Sequence, residues 1–185
     1  MKFINFLLII FITINSPVKA DLNQNSINEL KQGGKLIFIR HAYAPGGGDP
    51  INFDIGECNT QRNLSNSGRK QADKIGSLFR GNNISIHKVY SSEWCRCKET
   101  ALIAFNEFET KKFLNSFFSS KFVQNKNSQI KSFKKFIKSW DGKKNLIFIT
   151  HYVFISEILD YASSSGEIII SDKDFKVIDT IEIEY

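Results

Sequence analysis

The chain has 185 residues, of which 42% are hydrophobic and 13% aromatic, and its formal net charge is +6. This is enough for one domain with a hydrophobic core, and the composition is that of a globular protein without internal repeats. Much of the positive charge lies between Lys111 and Lys144. Lysines at helical spacing are most simply a solvated face, although they also favour anionic substrates or membrane surfaces. No nucleic-acid-binding motif accompanies this charge, so we expect no nucleic-acid partner.

The first 20 residues have the pattern of a secretory signal peptide. Lys2 supplies a positive charge, residues 3–14 are almost wholly apolar, and Val18 and Ala20 are the small residues that a signal peptidase reads. The apolar stretch is too short for a comfortable membrane span. We therefore predict a signal peptide over 1–20 and a periplasmic or secreted mature domain over 21–185, beginning at Asp21. No stable membrane insertion is expected after cleavage, and an uncleaved N-terminal anchor is the alternative.

The first predicted strand, residues 36–39, runs straight into Arg40 and His41. A short continuous apolar segment is typical of a strand that is buried on both faces of a parallel sheet. Such a strand delivers the following residues to its carboxyl end, where open α/β sheets place their ligands. A second segment, residues 146–149, repeats this pattern and ends before His151. For either histidine alone, a structural role at a strand end is the alternative.

Helices and further strands alternate along the chain. A glycine-rich loop over 44–61 is interpreted as a flexible rim over the site, and Arg62 lies at its end. Ser65 and the pair Ser91-Ser92 are expected to cap the helices that follow them. Arg96 falls in the first turn of the second of these helices, where it would add bidentate contacts to an anion; a surface arginine is the alternative. We predict helices over 21–32, 66–80, 93–104, 127–140 and 152–161, and strands over 87–91, within 109–118, and over 168–170 and 177–185.

This alternation predicts an α/β fold, a three-layer α/β/α sandwich with a mostly parallel central sheet. His87 lies at the start of its strand, the wrong end for this site, and is interpreted as structural. The three cysteines are Cys58, Cys95 and Cys97. In an exported protein they favour one disulfide with one thiol left over. Zinc binding is the alternative, but it lacks a second closely spaced pair of ligands.

The candidate site residues suit a phosphate dianion. Arginines neutralise such an anion and stabilise the charge of an in-line transition state. A neutral histidine can act as the nucleophile toward phosphorus. No metal or other cofactor is expected, because the arginines supply the charge. The residues expected at the carboxyl edge of the sheet are Arg40, His41, Arg62, Arg96 and His151.

Four segments of the chain resemble motifs of the histidine phosphatase superfamily, also called the phosphoglycerate-mutase-like family. The resemblance covers nearly all of the predicted mature chain. The segments are Arg40-His41-Ala42, which is similar to the family's Arg-His-Gly, the Leu-Ser-x-x-Gly-x-x-Gln-Ala stretch over 64–72, the Ser-x-x-x-Arg-x-x-x-Thr-Ala stretch over 92–101, and Ile149-Thr150-His151.

The resemblance implies a phosphoglycerate-mutase-like fold and a role for each matching residue. His41 would be the nucleophile that forms a phosphohistidine, and Arg40, Arg96 and His151 would bind the phosphoryl group. Arg62 would be a further phosphate ligand. The family places a small buried residue directly after the pocket arginine, which here is Cys97. This implies that Cys97 stays free and that Cys58 pairs with Cys95.

The chain departs from the family pattern in two ways. Ala42 replaces a glycine, which leaves less room for the backbone after the nucleophile. Many relatives also carry a carboxylic acid that protonates the leaving oxygen, often in a Leu-x-Glu context or directly after the second histidine. The corresponding residues here are Leu114-Asn115-Ser116, which contain no carboxylate, and Tyr152. By proximity in sequence alone, the candidates for this acid are Asp54, Glu107 and Glu109.

The leading hypothesis is an exported, metal-independent phosphatase that hydrolyses phosphomonoesters through His41. Its expected partner is a phosphorylated small molecule or an envelope sugar phosphate. A mutase is disfavoured because its usual substrate is cytosolic, and a phosphohistidine-protein phosphatase fits the short chain and the missing acid but not export. The alternatives are an inactive phosphate- or phosphoglycan-binding envelope protein and a basic envelope-surface protein that works through the lysines over 131–138. The sequence gives no oligomeric state.

Overall fold

The computed structural model describes residues 18–185, with side chains from residue 24 onward. The predicted signal segment therefore lies outside the described residues, apart from Val18 to Ala20 at the start of the first helix. The helices are α1 (Val18–Gln32), α2 (Asn66–Gly81), α3 (Cys95–Phe105), α4 (Lys126–Lys138) and α5 (Tyr152–Leu159). The strands are β1 (Leu36–Arg40), β2 (Ile86–Ser91), β3 (Glu109–Thr110), β4 (Asn145–Thr150), β5 (Ile168–Ser171) and β6 (Val177–Ile181).

The strands form one six-stranded sheet in the order β3-β2-β4-β1-β5-β6. The pairs β2–β3, β2–β4 and β1–β4 are parallel, whereas β5 is antiparallel to both β1 and β6. The central apolar segments predicted as buried strands are β1 and β4, which pair directly in register. The predicted α/β fold with a mostly parallel sheet is therefore confirmed.

Hydrophobic residues alternate between the two faces of the sheet and build a core on each. On one face, Ile37 and Ile147 pack with apolar residues of α1, α2 and α3. On the other face, Phe38 and Phe148 pack with residues of α4 and α5 around the fully buried Phe133. This arrangement gives the three layers that the sequence predicted. No helix within residues 18–185 is both long and apolar enough to cross a membrane.

The starts of α2 and α3 differ in how they are capped. Ser65 caps α2 as predicted, because its side chain accepts a hydrogen bond from the Gly68 N–H at 3.0 Å. The predicted cap of α3 by Ser91-Ser92 is wrong. That helix begins two residues later than expected, at Cys95, and Gln61 reaches across from the preceding loop to accept the Cys95 N–H at 2.9 Å. Sequence spacing gives no information about a cap that comes from a distant loop.

Two predicted strands are shorter in the structure. The third strand is confined to Glu109–Thr110 because the chain then turns through a short 3-10 segment at Lys112–Leu114. Side chains take over the carbonyls of this segment: Thr150 Oγ1 donates to Leu114 O, and Gln129 Nε2 donates to Lys112 O. The last strand ends at Ile181 and does not continue to residue 185.

Candidate active site

The two central strands bring His41 and His151 together. Arg40 and Thr150 are the last paired residues of β1 and β4, so the histidines follow adjacent strand ends. The backbone N–H of His41 donates to Thr150 O at 3.0 Å, and the two imidazole rings lie 5.6 Å apart between centroids. Both histidines are buried. The expected gathering of site residues at the carboxyl edge of the sheet is therefore observed, while their roles stay predictions.

The hydrogen bonds of His41 determine which ring nitrogen is free. Its Nδ1 lies 2.9 Å from its neighbour's carbonyl oxygen, Ala42 O. A carbonyl oxygen only accepts, so Nδ1 carries the proton and donates. The lone pair of the neutral ring therefore resides on Nε2, which is the nitrogen that can attack an electrophile.

Burial keeps both imidazoles neutral. Desolvation lowers the pKa of His41 well below its usual value, and the positive charge of Arg96 lowers it further. The same two causes, in the same order, lower the pKa of His151. A neutral His41 is the form that can act as a nucleophile near neutral pH.

Two guanidinium groups have unused donors in this pocket. The Nη1 of Arg40 donates to Ser163 O at 2.7 Å, and the group lies 5.6 Å from the ring centre of Tyr152. The Nε atoms of Arg40 and Arg96 are buried and find no acceptor among the described residues. An unsatisfied buried N–H is costly, and at a charged group the cost is larger. An anion with oxygens near both arginines would satisfy these donors.

Asp49, which the sequence reasoning missed, holds Arg96 in place. Its two carboxylate oxygens lie 2.7 and 3.3 Å from Nη1 and Nη2 of Arg96. The same carboxylate accepts from Trp94 Nε1 at 2.9 Å and from the Arg62 N–H at 3.1 Å. Burial opposes ionisation, but the bonds and charge of Arg96 prevail and lower the pKa of Asp49. The only feature of the sequence that could have indicated this role was a carboxylate between Gly48 and Pro50, a pattern that is also typical of an ordinary turn.

Arg62 lines the pocket, but its contacts in the structure are with the glycine-rich loop. Its Nε donates to Gly48 O at 2.9 Å, and its Nη1 donates to Ala44 O. Burial, followed by the positive charge of Arg96, lowers the pKa of Arg62. The loop that we expected to be a flexible rim is therefore tied down by Arg62 and by Asp49. A role for Arg62 as a phosphate ligand stays a prediction.

His151 is oriented by groups from two other elements. The hydroxyl of Ser92 lies 2.9 Å from His151 Nε2 and donates to Asn115 Oδ1 at 3.1 Å. Because that hydroxyl proton goes to Asn115, the hydroxyl oxygen is left to accept from Nε2. The Cys97 sulfur also lies 3.5 Å from Nε2. Burial raises the pKa of the Cys97 thiol to about 12, so it stays protonated here.

A disulfide joins the loop before the site to α3. It links Cys58 to Cys95, one residue before Arg96, and Cys97 is free and buried. The pairing implied by the family resemblance is therefore confirmed, and these residues do not form the zinc site kept as the alternative.

The backbone after His41 accommodates Ala42 without strain. Ala42 is fully buried, has no positive φ, and donates its N–H to Thr100 Oγ1 at 3.0 Å. The close approach occurs instead at Gly68 in α2, where an added Cβ would lie 2.0 Å from Tyr43 O. Ala42 therefore needs no left-handed backbone conformation, and Gly68 is the glycine that this turn requires.

The three carboxylates proposed from sequence as the general acid lie elsewhere. Glu109 forms salt bridges with Lys88 and Lys111, Glu107 lies in a different surface depression, and Asp54 accepts from the Gly56 N–H within its own loop. None of them lines the pocket. Nearness in sequence was misleading because Glu107 and Glu109 lie before and at the start of β3, whereas the chain lines the pocket only after this strand, from Ser116 onward. Asp49 is the one carboxylate among the described residues of the pocket lining.

The pocket has a volume of about 500 Å³. His41, Arg96 and His151 are buried in it, and Ile51, Phe118 and Tyr152 are exposed at its mouth. Within the described part of the chain, no group of three or more His, Cys, Asp or Glu side chains is arranged to hold a metal ion.

The sequence model of the histidine phosphatase superfamily (branch 1) matches residues 36–146 of the chain. This match spans more than half of the 185 residues and includes Arg40, His41, Arg62 and Arg96. The chain belongs to the histidine phosphatase superfamily. Comparison with curated proteins finds no match.

Solved structures of the same fold include phosphatases and a mutase. The chain is similar to the protein histidine phosphatase SixA complexed with tungstate (13% identity, TM-score 0.55, covering 81% of this chain and 96% of that one). Similar values hold for the phosphoglycerate mutase from Thermus thermophilus (13%, 0.55, 81% and 99%) and the alpha-ribazole phosphatase from Shigella flexneri (14%, 0.56, 81% and 95%). These likenesses confirm the phosphoglycerate-mutase-like fold, and with the family they support a phosphatase or mutase-like enzyme.

Proposed function

We propose that the protein is an exported, metal-independent phosphatase that hydrolyses phosphomonoesters through a phosphohistidine on His41. The observation that carries this proposal is the combination of a free Nε2 lone pair on His41 with two buried guanidinium N–H groups that lack acceptors among the described residues. The donors suit the phosphoryl oxygens, and the lone pair suits the phosphorus.

The reaction has two steps. In the first, Nε2 of His41 forms a bond to phosphorus while the ester P–O bond breaks and its electron pair leaves with the alcohol oxygen. Nδ1 keeps its proton and donates to Ala42 O throughout, which fixes the ring. In the second step, water attacks phosphorus, the N–P bond breaks, and its electron pair returns to Nε2. Arg40 and Arg96 stabilise the charge on the phosphoryl oxygens in both steps.

Metal independence is proposed because the guanidinium groups supply the positive charge that a metal would otherwise provide. Export is proposed from the signal-like residues 1–20. The Cys58–Cys95 disulfide supports it, because disulfides persist in oxidising compartments outside the cytosol.

The test is hydrolysis of p-nitrophenyl phosphate by the purified protein with a chelator present, compared with His41→Ala and with His87→Ala at the exposed start of β2. We expect turnover in the wild type and in His87→Ala, and loss in His41→Ala. Quenched ³²P-labelled protein should carry an acid-labile, alkali-stable label that requires His41. Dependence of turnover on added metal would contradict metal independence.

For export, the N-terminal residue of protein recovered from the cell envelope should be Asp21.

The second candidate is a binding protein for phosphate or a phosphoglycan. It is favoured by the pocket lining, in which Asp49 is the one carboxylate among the described residues and is occupied by Arg96. Tight phosphate binding by folded protein, with neither turnover nor a labelled His41, would establish this function in place of the first.

A further inference from the structure

Apolar side chains surround the mouth of the phosphate pocket. Ile51 is fully exposed, Phe118 is 71% exposed and Tyr152 is 41% exposed, although all three are large and apolar or aromatic. We call these side chains, together with three partly buried ones, the collar. Its six members are Ile51, Phe53, Phe118, Phe122, Tyr152 and Val153. Apolar exposure that is concentrated around a cavity marks a ligand or partner site, whereas single scattered residues do not.

The collar is continuous with the reacting centre through an aromatic cluster. Trp94 stacks on Phe53 with centroids 5.1 Å apart and meets Phe122 edge-on at 5.6 Å. On its other side Trp94 lies 5.3 Å from the ring of His151. A ligand whose phosphate is held by the arginines would therefore extend its organic group along aromatic surfaces. The organic group of the substrate itself would then cover the exposed apolar side chains of the collar.

Polar groups that could read sugar hydroxyls are scarce along this path. Apart from the phenol hydroxyl of Tyr152, Lys121 is the one ionisable side chain among the described residues that lines the mouth without being part of the site described above. The hydroxyls of Ser116 and Ser119 accept backbone N–H groups of Phe118 and Lys121, each at 3.3 Å. Ligand pockets usually fix a polar ligand with a few placed hydrogen-bonding groups, and this mouth offers few.

The chemistry of the leaving group also favours an aromatic organic group on the ligand. The carboxylate of Asp49 accepts from Arg96, Trp94 and Arg62, so it has no proton to give and no free position to give it from. Because the described residues of the pocket lining offer no carboxylic acid to protonate the leaving oxygen, a group that is stable as an anion is the favoured leaving group. A phenol has a pKa of about 10, whereas aliphatic alcohols are closer to water at about 15.7, so a phenolate departs far more readily.

We propose that the natural substrate is an aryl phosphomonoester, whose flat apolar group lies in the collar, in preference to a sugar or alkyl phosphate. This inference rests on the proposed phosphatase function and specifies its substrate class. His41 Nε2 takes the phosphoryl group, the P–O bond breaks, and the aryl oxide leaves with the electron pair and takes its proton from water. Water then releases phosphate from His41.

The test compares kcat/KM for four esters: 2-naphthyl, phenyl, butyl and glucose 6-phosphate. The two aryl esters have similar leaving groups but differ in apolar area, so their ratio isolates the collar. We expect a naphthyl-to-phenyl ratio of about ten, since each added apolar group in such a pocket is worth roughly tenfold or more. Butyl and glucose phosphates should both be slower than phenyl phosphate.

The matched variants are Ile51→Ser/Phe118→Ser in the collar and Leu102→Ser/Ile178→Ser at exposed apolar positions outside the pocket. The naphthyl-to-phenyl ratio should fall toward one in the first and stay at the wild-type value in the second. The proposal is overturned by a wild-type ratio near one, by an unchanged ratio in the collar variant, or by glucose 6-phosphate turning over as fast as phenyl phosphate.

Two other outcomes are distinguishable from these. If the collar is a contact between two copies of the chain, the wild type will sediment as a dimer and the collar variant as a monomer, with the aryl ratio unchanged; this overturns the inference but not the phosphatase. If none of the four esters is hydrolysed and His41 takes no label, the proposed function itself fails.

Discussion

At the scale of single residues, Asp49 determines which N–H groups of Arg96 remain available to a ligand. The carboxylate occupies the two terminal nitrogens of the guanidinium, while Nε remains without an acceptor among the described residues. The fork of an arginine has five donors in a fixed plane, so a partner on one edge sets the direction of the other. Asp49 also brings one negative charge to a pocket that holds Arg40, Arg62 and Arg96. We interpret it as a positioning residue.

Asp49→Asn should therefore lower kcat/KM by about 10- to 100-fold, the cost of a phosphoryl-binding group displaced by about 1 Å. The loss should be equal for p-nitrophenyl and phenyl phosphates, because a positioning residue does not act on the leaving group. Asp54→Asn is the matched control, in the same loop but outside the pocket. A larger loss for phenyl phosphate, whose leaving group is poorer, would instead show that Asp49 donates a proton.

The residues at the site differ in how well the sequence could predict them. Arg40, His41, Arg96 and His151 could be found because each lies at a strand end or in a motif, and the structure brings them together. Asp49 could not be found, because its partners Arg96 and Trp94 are more than 40 residues away in sequence and no local spacing encodes the contact. The same holds for Ser92, whose hydroxyl orients His151 and does not cap a helix.

At the scale of elements, the start of α2 packs against the turn that follows His41. Tyr43 O accepts the Ser65 N–H at 3.2 Å, and Tyr43 N donates to Gln71 Oε1 at 2.8 Å. This contact requires Gly68, since a side chain there would collide with Tyr43 O. The strand, the turn and the helix are thereby fixed as one unit around the nucleophile.

Gly68→Ala should destabilise the protein by about 1–3 kcal/mol, the usual cost of overpacking a tight contact, and should reduce activity by shifting the backbone near His41. Urea unfolding and phosphatase assays measure the two effects. The control is Gly81→Ala at the other end of the same helix, where an added Cβ has nothing within 4 Å. Equal stability of the two variants would show that the turn after His41 tolerates displacement.

The Cys58–Cys95 disulfide attaches the loop that carries Asp49 to the start of α3. It closes a loop with a sequence separation of 37 residues, for which a stabilisation of about 2–4 kcal/mol is typical. Cys58→Ala/Cys95→Ala should lose that amount in urea unfolding and should bind phosphate more weakly. Reductant should produce the same loss in the wild type and no change in the variant. Equal stability of the variant and the untreated wild type would show that this disulfide does not stabilise the fold.

The order of elements could be predicted from the sequence more fully than their lengths. Apolar segments such as β1 and β4 are recognisable because every residue in them is buried or nearly so. The edge strand β3 is only two residues long because side chains from α4 and β4 capture the carbonyls that follow it. Such captures depend on tertiary contacts, which neither hydrophobic periodicity nor turn residues encode.

At the scale of the whole molecule, folding places two neutral histidines beside three arginines in one pocket. The pocket gains a field that attracts a dianion, and desolvation together with the nearby positive charge makes protonation of either imidazole unfavourable. The same arrangement ties the stability of the fold to pH, because an unfolded chain protonates these histidines freely.

The sign of this dependence follows from the lowered pKa values. An unfolded histidine takes up a proton near pH 6.5, whereas folded His41 and His151 do so only at much lower pH. Below pH 6.5 the unfolded state therefore binds more protons, and the free energy of unfolding falls as pH falls. Above it, neither state is protonated and the contribution is constant. The loss is at most about 1.4 kcal/mol per pH unit for each histidine.

Asp49 adds to this loss of stability only near its unfolded pKa of about 3.9 and below, because its carboxylate has a lowered pKa in the folded state.

Urea unfolding between pH 7 and pH 5 measures this dependence. We expect the free energy of unfolding to decline steeply in the wild type as the pH falls. In His151→Asn the decline should be shallower, because up to one fewer proton is taken up on unfolding, whatever that substitution does to stability at pH 7. His87→Asn, at an exposed position at the start of β2, is the control and should keep the wild-type slope. A wild-type stability that stays constant down to pH 5 would mean that His41 and His151 accept protons in the folded protein. The pocket would then hold cationic imidazoles in the resting state, and Nε2 of His41 would not be available as a nucleophile at that pH.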